Sequence, residues 1–172
     1  MTELYSTSEF LNIKKKLRNL LISYFVALVV CILAVTIIMI IYANEPFGTP
    51  LRIPFLIVLI LICVLFVAYS FVFFNIKFSK LRKYQYFIYF AINGKNKEEK
   101  ATIISISNAI VEINGFDCYS LEALVWSDIE SDYVTRLVYF DAEKDMSEIE
   151  VDKVYDLSIN SNYIVAYRKV SL

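Results

Sequence analysis

The stretch LLISYFVALVVCILAVTIIMIIYA, residues 20–43, decides the fold of this chain. It contains no charged residue and is longer than the about 20 apolar residues that a helix needs to cross about 30 Å of hydrocarbon. A second uncharged run, IPFLIVLILICVLFVAYSFVFFNI, occupies residues 53–76. A buried helix of a water-soluble protein would carry polar residues at helical spacing, and neither run does. We therefore predict two transmembrane helices, over residues 20–43 and 53–76.

A secretory signal peptide is the alternative interpretation of the first run, because four bases precede it at Lys14, Lys15, Lys16 and Arg18. The apolar core of a signal peptide is about 7–15 residues long and ends at a cleavage site of small residues. The first run is longer than that, so we favour a membrane span.

The segment between the two runs, residues 44–52, predicts a short external loop, because Pro46, Gly48 and Pro50 break helices. Arg52 is its only base. The opposite ends of both runs carry a basic collar, a predicted site for lipid headgroups, formed by Lys14, Lys15, Lys16, Arg18, Lys77, Lys80, Arg82 and Lys83. By the positive-inside rule, we expect a multi-pass protein of the plasma membrane with both termini in the cytoplasm.

Residues 1–19 predict an amphipathic cytoplasmic helix on the inner leaflet, with Thr7 or Ser8 as its cap. Its bases either bind anionic lipid or serve only to set the topology.

Small side chains recur along one face of the first run, at Ser23, Ala27, Cys31 and Ala34. Such a face lets another helix approach closely within lipid. We predict a helix-packing face, filled either by the second run of the same chain or by a helix from a protein partner or a second copy. Residues 20–43 and 53–76 contain no Asp, Glu, Lys, Arg or His, so a proton or ion path made of such groups is not expected.

After the second run, residues 77–99 predict a cytoplasmic helix extension to about Ile92, a left-handed stop at Asn93-Gly94, and a solvated connector in KNKEEK. Residues 100–172 then alternate β-branched and aromatic runs with turn residues, which is typical of a small all-β domain. We place strands near 100–107, 109–114, 117–126, 133–140, 153–159 and 162–170, with a hairpin turn at Asn114-Gly115. The length and strand number favour an SH3-like or OB-like barrel that leans on the helix extension or on a partner, with a sandwich fragment as the alternative.

The chain offers little to catalysis. It has no His and only 3 Gly, which excludes His-assisted nucleophiles and the common phosphate-binding loops. Three scattered cysteines give neither a disulfide framework nor a zinc site, and Cys118 beside Asp117 predicts an unreactive thiol in a reducing compartment. We predict no cofactor and no enzymatic activity.

Three side-chain groups in the β-domain still invite a functional interpretation. Two acidic clusters, Asp128, Glu130 and Asp132, then Asp141, Glu143 and Asp145, resemble the start of a calcium loop but lack its later Gly and Glu, so we predict solvated turn carboxylates. Trp126 is either an anchor for a partner or, as we favour, a core residue.

Charge separates the chain into two halves. Residues 1–94 hold three acids and nine bases, whereas residues 95–172 hold fifteen acids and eight bases. An acidic domain lacks the basic face that nucleic acid requires. We predict a non-enzymatic two-pass membrane protein whose β-domain is an interaction or assembly module for a protein partner or for further copies of itself. The alternatives are an auxiliary subunit of a membrane transport or secretion system and a membrane immunity-type protein.

Overall fold

The computed structural model describes residues 1–170, which form two compact units. The helical unit is Lys14–Leu81. The barrel unit combines Met1–Ile13 with the chain from Arg82 onward. We did not predict that the first residues of the chain belong with the β-domain, because that association depends on contacts between distant positions, such as Tyr5 with Asp141, 136 positions apart.

The helices are α1 (Thr7–Asn44), α2 (Arg52–Val72) and α3 (Ser79–Asn93), with a π-helical segment, Phe73–Phe78, between the last two. Two continuous helical stretches, Thr7–Asn44 and Arg52–Asn93, are long and apolar enough to span a membrane by length and composition. The cap of α1 is neither Thr7 nor Ser8. It is Ser6, whose Oγ accepts the N–H of Glu9 at 3.2 Å, because a cap precedes the first helical residue.

Aromatic contacts hold the helical unit together around Tyr24. Its ring stacks on Phe73 with centroids 4.7 Å apart, and its hydroxyl lies 3.0 Å from Ser70 Oγ. The outward faces of α1 and α2 remain apolar and uncovered, as at Val67, which is 69% exposed. An apolar surface of this extent is stable only when lipid or protein covers it.

The loop between α1 and α2 is tight, as its helix breakers predicted. Gly48 adopts a φ of 89°, which glycine tolerates because it has no Cβ. The Arg52 guanidinium lies over the rings of Tyr42 and Phe47, at 4.6 and 4.2 Å from their centroids.

Within residues 1–170, the barrel unit contains six strands: β1 (Thr2–Glu3), β2 (Lys97–Ile113), β3 (Phe116–Ser127), β4 (Asp132–Asp141), β5 (Val154–Asn160) and β6 (Tyr163–Lys169). Strands β2, β3 and β4 form an antiparallel meander, β5 pairs with β2, and β6 pairs with β5. A parallel contact between Tyr139 of β4 and Tyr163 of β6 closes the ring. The prediction of a small β-barrel is confirmed as a closed five-stranded barrel, to which β1 adds a short antiparallel pairing with β6.

Strand β2 corrects two details of the sequence interpretation. It is one strand of 17 residues rather than two, because irregularities in its register with β3, between Ile103 and Ser105 and between Ile106 and Ile110, let it bend without ending. It also begins at Lys97, inside the segment KNKEEK that we predicted to be a solvated connector. There Glu99 pairs with both Lys97 and Arg136, so charged residues occur within a paired strand.

Alternate residues of the strands fill the barrel, and α3 covers part of it. The fully buried core includes Ile103, Leu121, Val138, Phe140, Tyr155, Leu157 and Ile164. One face of α3 is buried through Tyr84, Ile88 and Ala91. Beside them, the Phe87 ring lies 4.8 Å from Phe116 and 5.2 Å from Tyr5, centroid to centroid. The barrel therefore does use the helix extension, as its small size predicted.

Helix α3 ends at Asn93, one residue beyond our prediction, but Gly94 is not the left-handed stop we expected. Its N–H donates to the carbonyl of Phe90 at 2.7 Å, and a Cβ at this position would collide with that same oxygen. Glycine is required here by close approach of the backbone.

Candidate functional site

An apolar surface lies on the outside of the β3–β4 hairpin. Strand pairing places Trp126 opposite Tyr133 and Glu122 opposite Leu137, and these positions share one face because side chains alternate along each strand. Trp126 is 51% exposed and Tyr133 is 60% exposed. Ile129, in the turn that joins the strands, is 96% exposed. We call Trp126, Ile129, Tyr133 and Leu137 the hairpin patch.

The two aromatic rings of the hairpin patch contact each other edge to face. Their centroids are 5.2 Å apart and the interplanar angle is 77°. Trp126 was predicted to lie in the core, and that prediction is wrong, because its neighbour Val125 is the residue that points into the barrel. Both residues belong to a regular ladder of paired strand residues.

Acidic side chains surround the hairpin patch. Asp128, Glu130 and Asp132 are all exposed in or beside the turn. Asp132 Oδ1 accepts the N–H of Tyr133 at 2.7 Å, and Ser127 Oγ accepts the N–H of Glu130 at 3.3 Å, which orders the turn. These three residues are solvated turn carboxylates, as we predicted.

Asp141 differs from the other predicted turn carboxylates, because it is only 3% exposed. Its Oδ2 accepts hydrogen bonds from the hydroxyls of Tyr5 at 3.1 Å and Tyr84 at 2.8 Å, and its Oδ1 accepts the N–H of Glu143 at 2.9 Å. The prediction of solvation is therefore wrong at this position. The partners come from the first residues of the chain and from α3, which no local sequence pattern reports.

The tyrosines that bind Asp141 are donors and not acids. Burial, and then the negative charge of Asp141, raise the pKa of Tyr5 and of Tyr84 far above the ordinary value. Burial also raises the pKa of the nearby Cys118 thiol to about 12, with Asp141 and Asp117 adding to the effect. The prediction that Cys118 is an unreactive strand cysteine agrees with its burial and with this raised pKa.

The structure gives no metal centre in the part of the chain it describes. Among residues 1–170, no group of three His, Cys, Asp or Glu residues is placed to hold a metal ion.

The predicted helix-packing face lies in the helical unit. Ala27, Cys31 and Ala34 are partly buried, whereas Ser23 is exposed and its Oγ donates to the carbonyl of Leu20 at 2.8 Å. Ser23 therefore differs in burial from the other three residues of the predicted face. The role of this face in helix association stays a prediction.

All eight bases of the collar are exposed. Lys14, Lys15, Lys16, Arg18, Lys77 and Lys80 belong to the helical unit, and Arg82 and Lys83 belong to the barrel unit. The Arg82 guanidinium lies 5.7 Å from the centroid of the Tyr86 ring. Binding of lipid headgroups by these residues stays a prediction.

The hairpin patch is visible in the structure but was not predicted from the sequence. The chain matches no family model, no curated protein and no solved structure. The sequence signal for this patch was the alternation of apolar residues on both sides of an acidic turn, at Leu124, Trp126, Tyr133 and Leu137. This pattern identifies one face of a hairpin but does not indicate whether that face is buried or exposed.

Proposed function

We propose that this chain is a two-pass membrane protein whose barrel unit acts in the cytoplasm as a non-enzymatic interaction module. The observation that carries the proposal is the exposed hairpin patch. Trp and Tyr are enriched among residues that dominate protein interfaces, and Lys, Glu and Asp are depleted from interface centres. An aromatic centre with an acidic rim has that composition.

The helical unit supports membrane insertion. Residues 20–43 and 53–76 contain no Asp, Glu, Lys, Arg or His, and their outward faces are apolar and exposed. In water such helices would associate or aggregate, whereas hydrocarbon solvates them directly. The basic collar lies at the ends of these runs away from the loop of residues 44–52, which by the positive-inside rule supports cytoplasmic termini.

We infer that the barrel is OB-like rather than SH3-like. Around the barrel the strands follow the order β2, β3, β4, β6, β5 and back to β2, and the contact between β4 and β6 is parallel. If β2 is counted as the first strand of the barrel, this is the order 1-2-3-5-4-1. This arrangement supports the five-stranded Greek-key barrel of the OB-fold. OB-folds bind oligonucleotides and oligosaccharides on the face of the second and third strands and on two adjoining loops. Here those strands are β3 and β4, which carry the hairpin patch.

The acids of the hairpin favour a protein partner over nucleic acid, because a phosphate backbone requires basic residues. The strand pairing of Trp126 with Tyr133 also favours binding, since little backbone freedom of these two residues is lost when the partner arrives. The barrel unit thus serves as a preformed surface, held at the membrane by the helical unit.

Site-specific photo-crosslinking in native membranes tests the proposal. A photoreactive residue replaces Trp126 in the full-length chain, and a matched control replaces Val151, another exposed apolar residue of the barrel unit. We expect a discrete protein adduct from position 126 that is absent from position 151. Adducts from neither position, or the same adducts from both, would contradict a specific interaction surface.

A further inference from the structure

We infer that the hairpin patch binds a cationic polypeptide segment, one in which Lys or Arg alternates with apolar residues. This inference rests on the proposed function and names the chemistry of the partner. It depends on two independent properties of the hairpin, its unbalanced charge and its exposed aromatic faces.

The turn of the hairpin patch is negatively charged, because Asp128, Glu130 and Asp132 are all exposed there. From Trp126 to Thr135 the sequence contains these three acids and no Lys or Arg. The next base, Arg136, is already engaged: its guanidinium binds the Glu99 carboxylate at 3.1 Å and donates to the carbonyl of Ser161 at 2.8 Å. The acids of the turn therefore attract a cation from outside the barrel unit.

The aromatic rings of Trp126 and Tyr133 offer a cationic side chain a second kind of attraction, in addition to the charge of the acids. An Arg or Lys over the face of Trp or Tyr is attracted by the negative ring face. Trp126 and Tyr133 are each at least half exposed and meet edge to face, so the outer faces of the rings stay available. Ile129 and Leu137 add apolar surface for the residues between the cations.

The same charge disfavours the other occupants of an exposed apolar face. Anionic lipid headgroups and nucleic acid would be repelled by Asp128, Glu130 and Asp132. A second copy that paired through the same patch would place these acids against their own equivalents, because a two-fold contact is self-complementary. A cationic segment alone gains from both the charge and the rings.

The experiment uses the full-length protein in neutral detergent and a synthetic peptide of alternating Lys and Leu. Trp126 is the only Trp in the chain, so its fluorescence reports on the hairpin patch directly. The comparison peptide replaces each Lys with Glu. One triple variant, D128N/E130Q/D132N, neutralises the turn. A matched variant, E143Q/D145N/D152N, neutralises three exposed acids elsewhere in the same unit.

We expect saturable binding of the Lys peptide that changes Trp126 fluorescence and no binding of the Glu peptide. Neutralising the turn should weaken binding about tenfold, and the matched variant should bind within about twofold of the original protein. Binding should weaken as salt rises from about 0.01 M to about 0.15 M, over which the Debye length falls from about 30 Å to about 8 Å. Tyr133→Ala should also weaken binding, because it removes one ring.

Equal weakening in both triple variants would overturn the inference, since it would show general attraction to an acidic domain. A fluorescence change with vesicles of anionic lipid, or a dimer that forms through the patch, would overturn it as well. The photo-crosslink at position 126 separates this inference from the proposed function. An adduct that persists in D128N/E130Q/D132N would leave the interaction module standing and refute the cationic partner.

Discussion

At the scale of single residues, the carboxylate of Asp141 is buried in the barrel unit and only 3% exposed. It accepts three hydrogen bonds, two of them from tyrosines that belong to separate segments of the chain. Asp141→Asn keeps the shape but turns one acceptor oxygen into an NH₂ donor that faces other donors. We expect a loss of about 1–3 kcal/mol in the free energy of unfolding.

The measurement is urea unfolding of the full-length variant in detergent, followed by near-ultraviolet circular dichroism. Asp145→Asn is the control. Asp145 is exposed, and the side-chain oxygen that remains after the substitution can still accept the N–H of Ser147. Equal stability of the two variants would show that the Asp141 contacts contribute little.

The two tyrosines predict how stability depends on alkaline pH. Burial raises the pKa of Tyr5 and Tyr84 in the folded chain above the value of about 10 that they have when unfolded. Their contribution is therefore complete below pH about 10 and is lost as the pH rises above it, because the unfolded chain releases phenolic protons that the folded chain retains. We expect a fall of up to about 1.4 kcal/mol per pH unit for each tyrosine.

Urea unfolding of the full-length chain at a series of pH values tests this expectation. Tyr84→Phe should reduce the steepness of the fall above pH about 10, because it removes one of the groups whose pKa is raised in the folded chain. Tyr86→Phe alters an exposed tyrosine of the same helix and should leave the steepness unchanged. A fall equally steep in the Tyr84 variant would contradict the assignment.

At the scale of elements, the end of α3 depends on close contact at Gly94. Gly94→Ala would drive a Cβ into the backbone oxygen of Phe90, which cannot move without breaking the last turn of the helix. We expect a loss of about 1–3 kcal/mol in unfolding free energy, measured by urea titration. Asn93→Ala, at the exposed neighbouring position, is the control and should cost less. Equal losses would show that fraying of the helix, rather than the collision, sets the cost.

Structural features that depend on neighbouring residues were predictable from sequence. Features that depend on contacts with distant parts of the chain were not. The hairpin at Asn114-Gly115 was predictable because both residues tolerate positive φ, and they adopt 55° and 91°. The outward position of Trp126 was not, because alternation defines two faces of a strand without stating which one is buried. In a chain that is 58% hydrophobic, both faces of β3 and β4 carry apolar residues.

At the scale of the whole molecule, the two apolar runs could be predicted from sequence, whereas the set of segments that forms the barrel unit could not. The runs were visible because membrane crossing is a local property of about 20 consecutive residues. The inclusion of Met1–Ile13 in the barrel unit was not visible, because it depends on contacts such as Tyr5 with Asp141 and Glu9 with Lys144, the latter at 2.6 Å. A tag fused directly to the first residue would disturb β1, so experiments on topology should leave the N-terminus unmodified.

Cysteine labelling in intact cells tests the proposed topology of the whole chain. The three native cysteines, Cys31, Cys63 and Cys118, are replaced by Ala, and a single new cysteine is placed either in the loop at Phe47→Cys or in the barrel unit at Ser147→Cys. Phe47 and Ser147 are both exposed, so a maleimide that cannot cross membranes has equal steric access to either. The positive-inside rule predicts that the segments carrying the collar bases are cytoplasmic, so we expect labelling of the loop cysteine from outside and labelling of the barrel cysteine only after permeabilisation. The reverse pattern would invert the topology and place the hairpin patch outside the cell, and recovery of the unlabelled protein in the aqueous fraction would refute the membrane anchor.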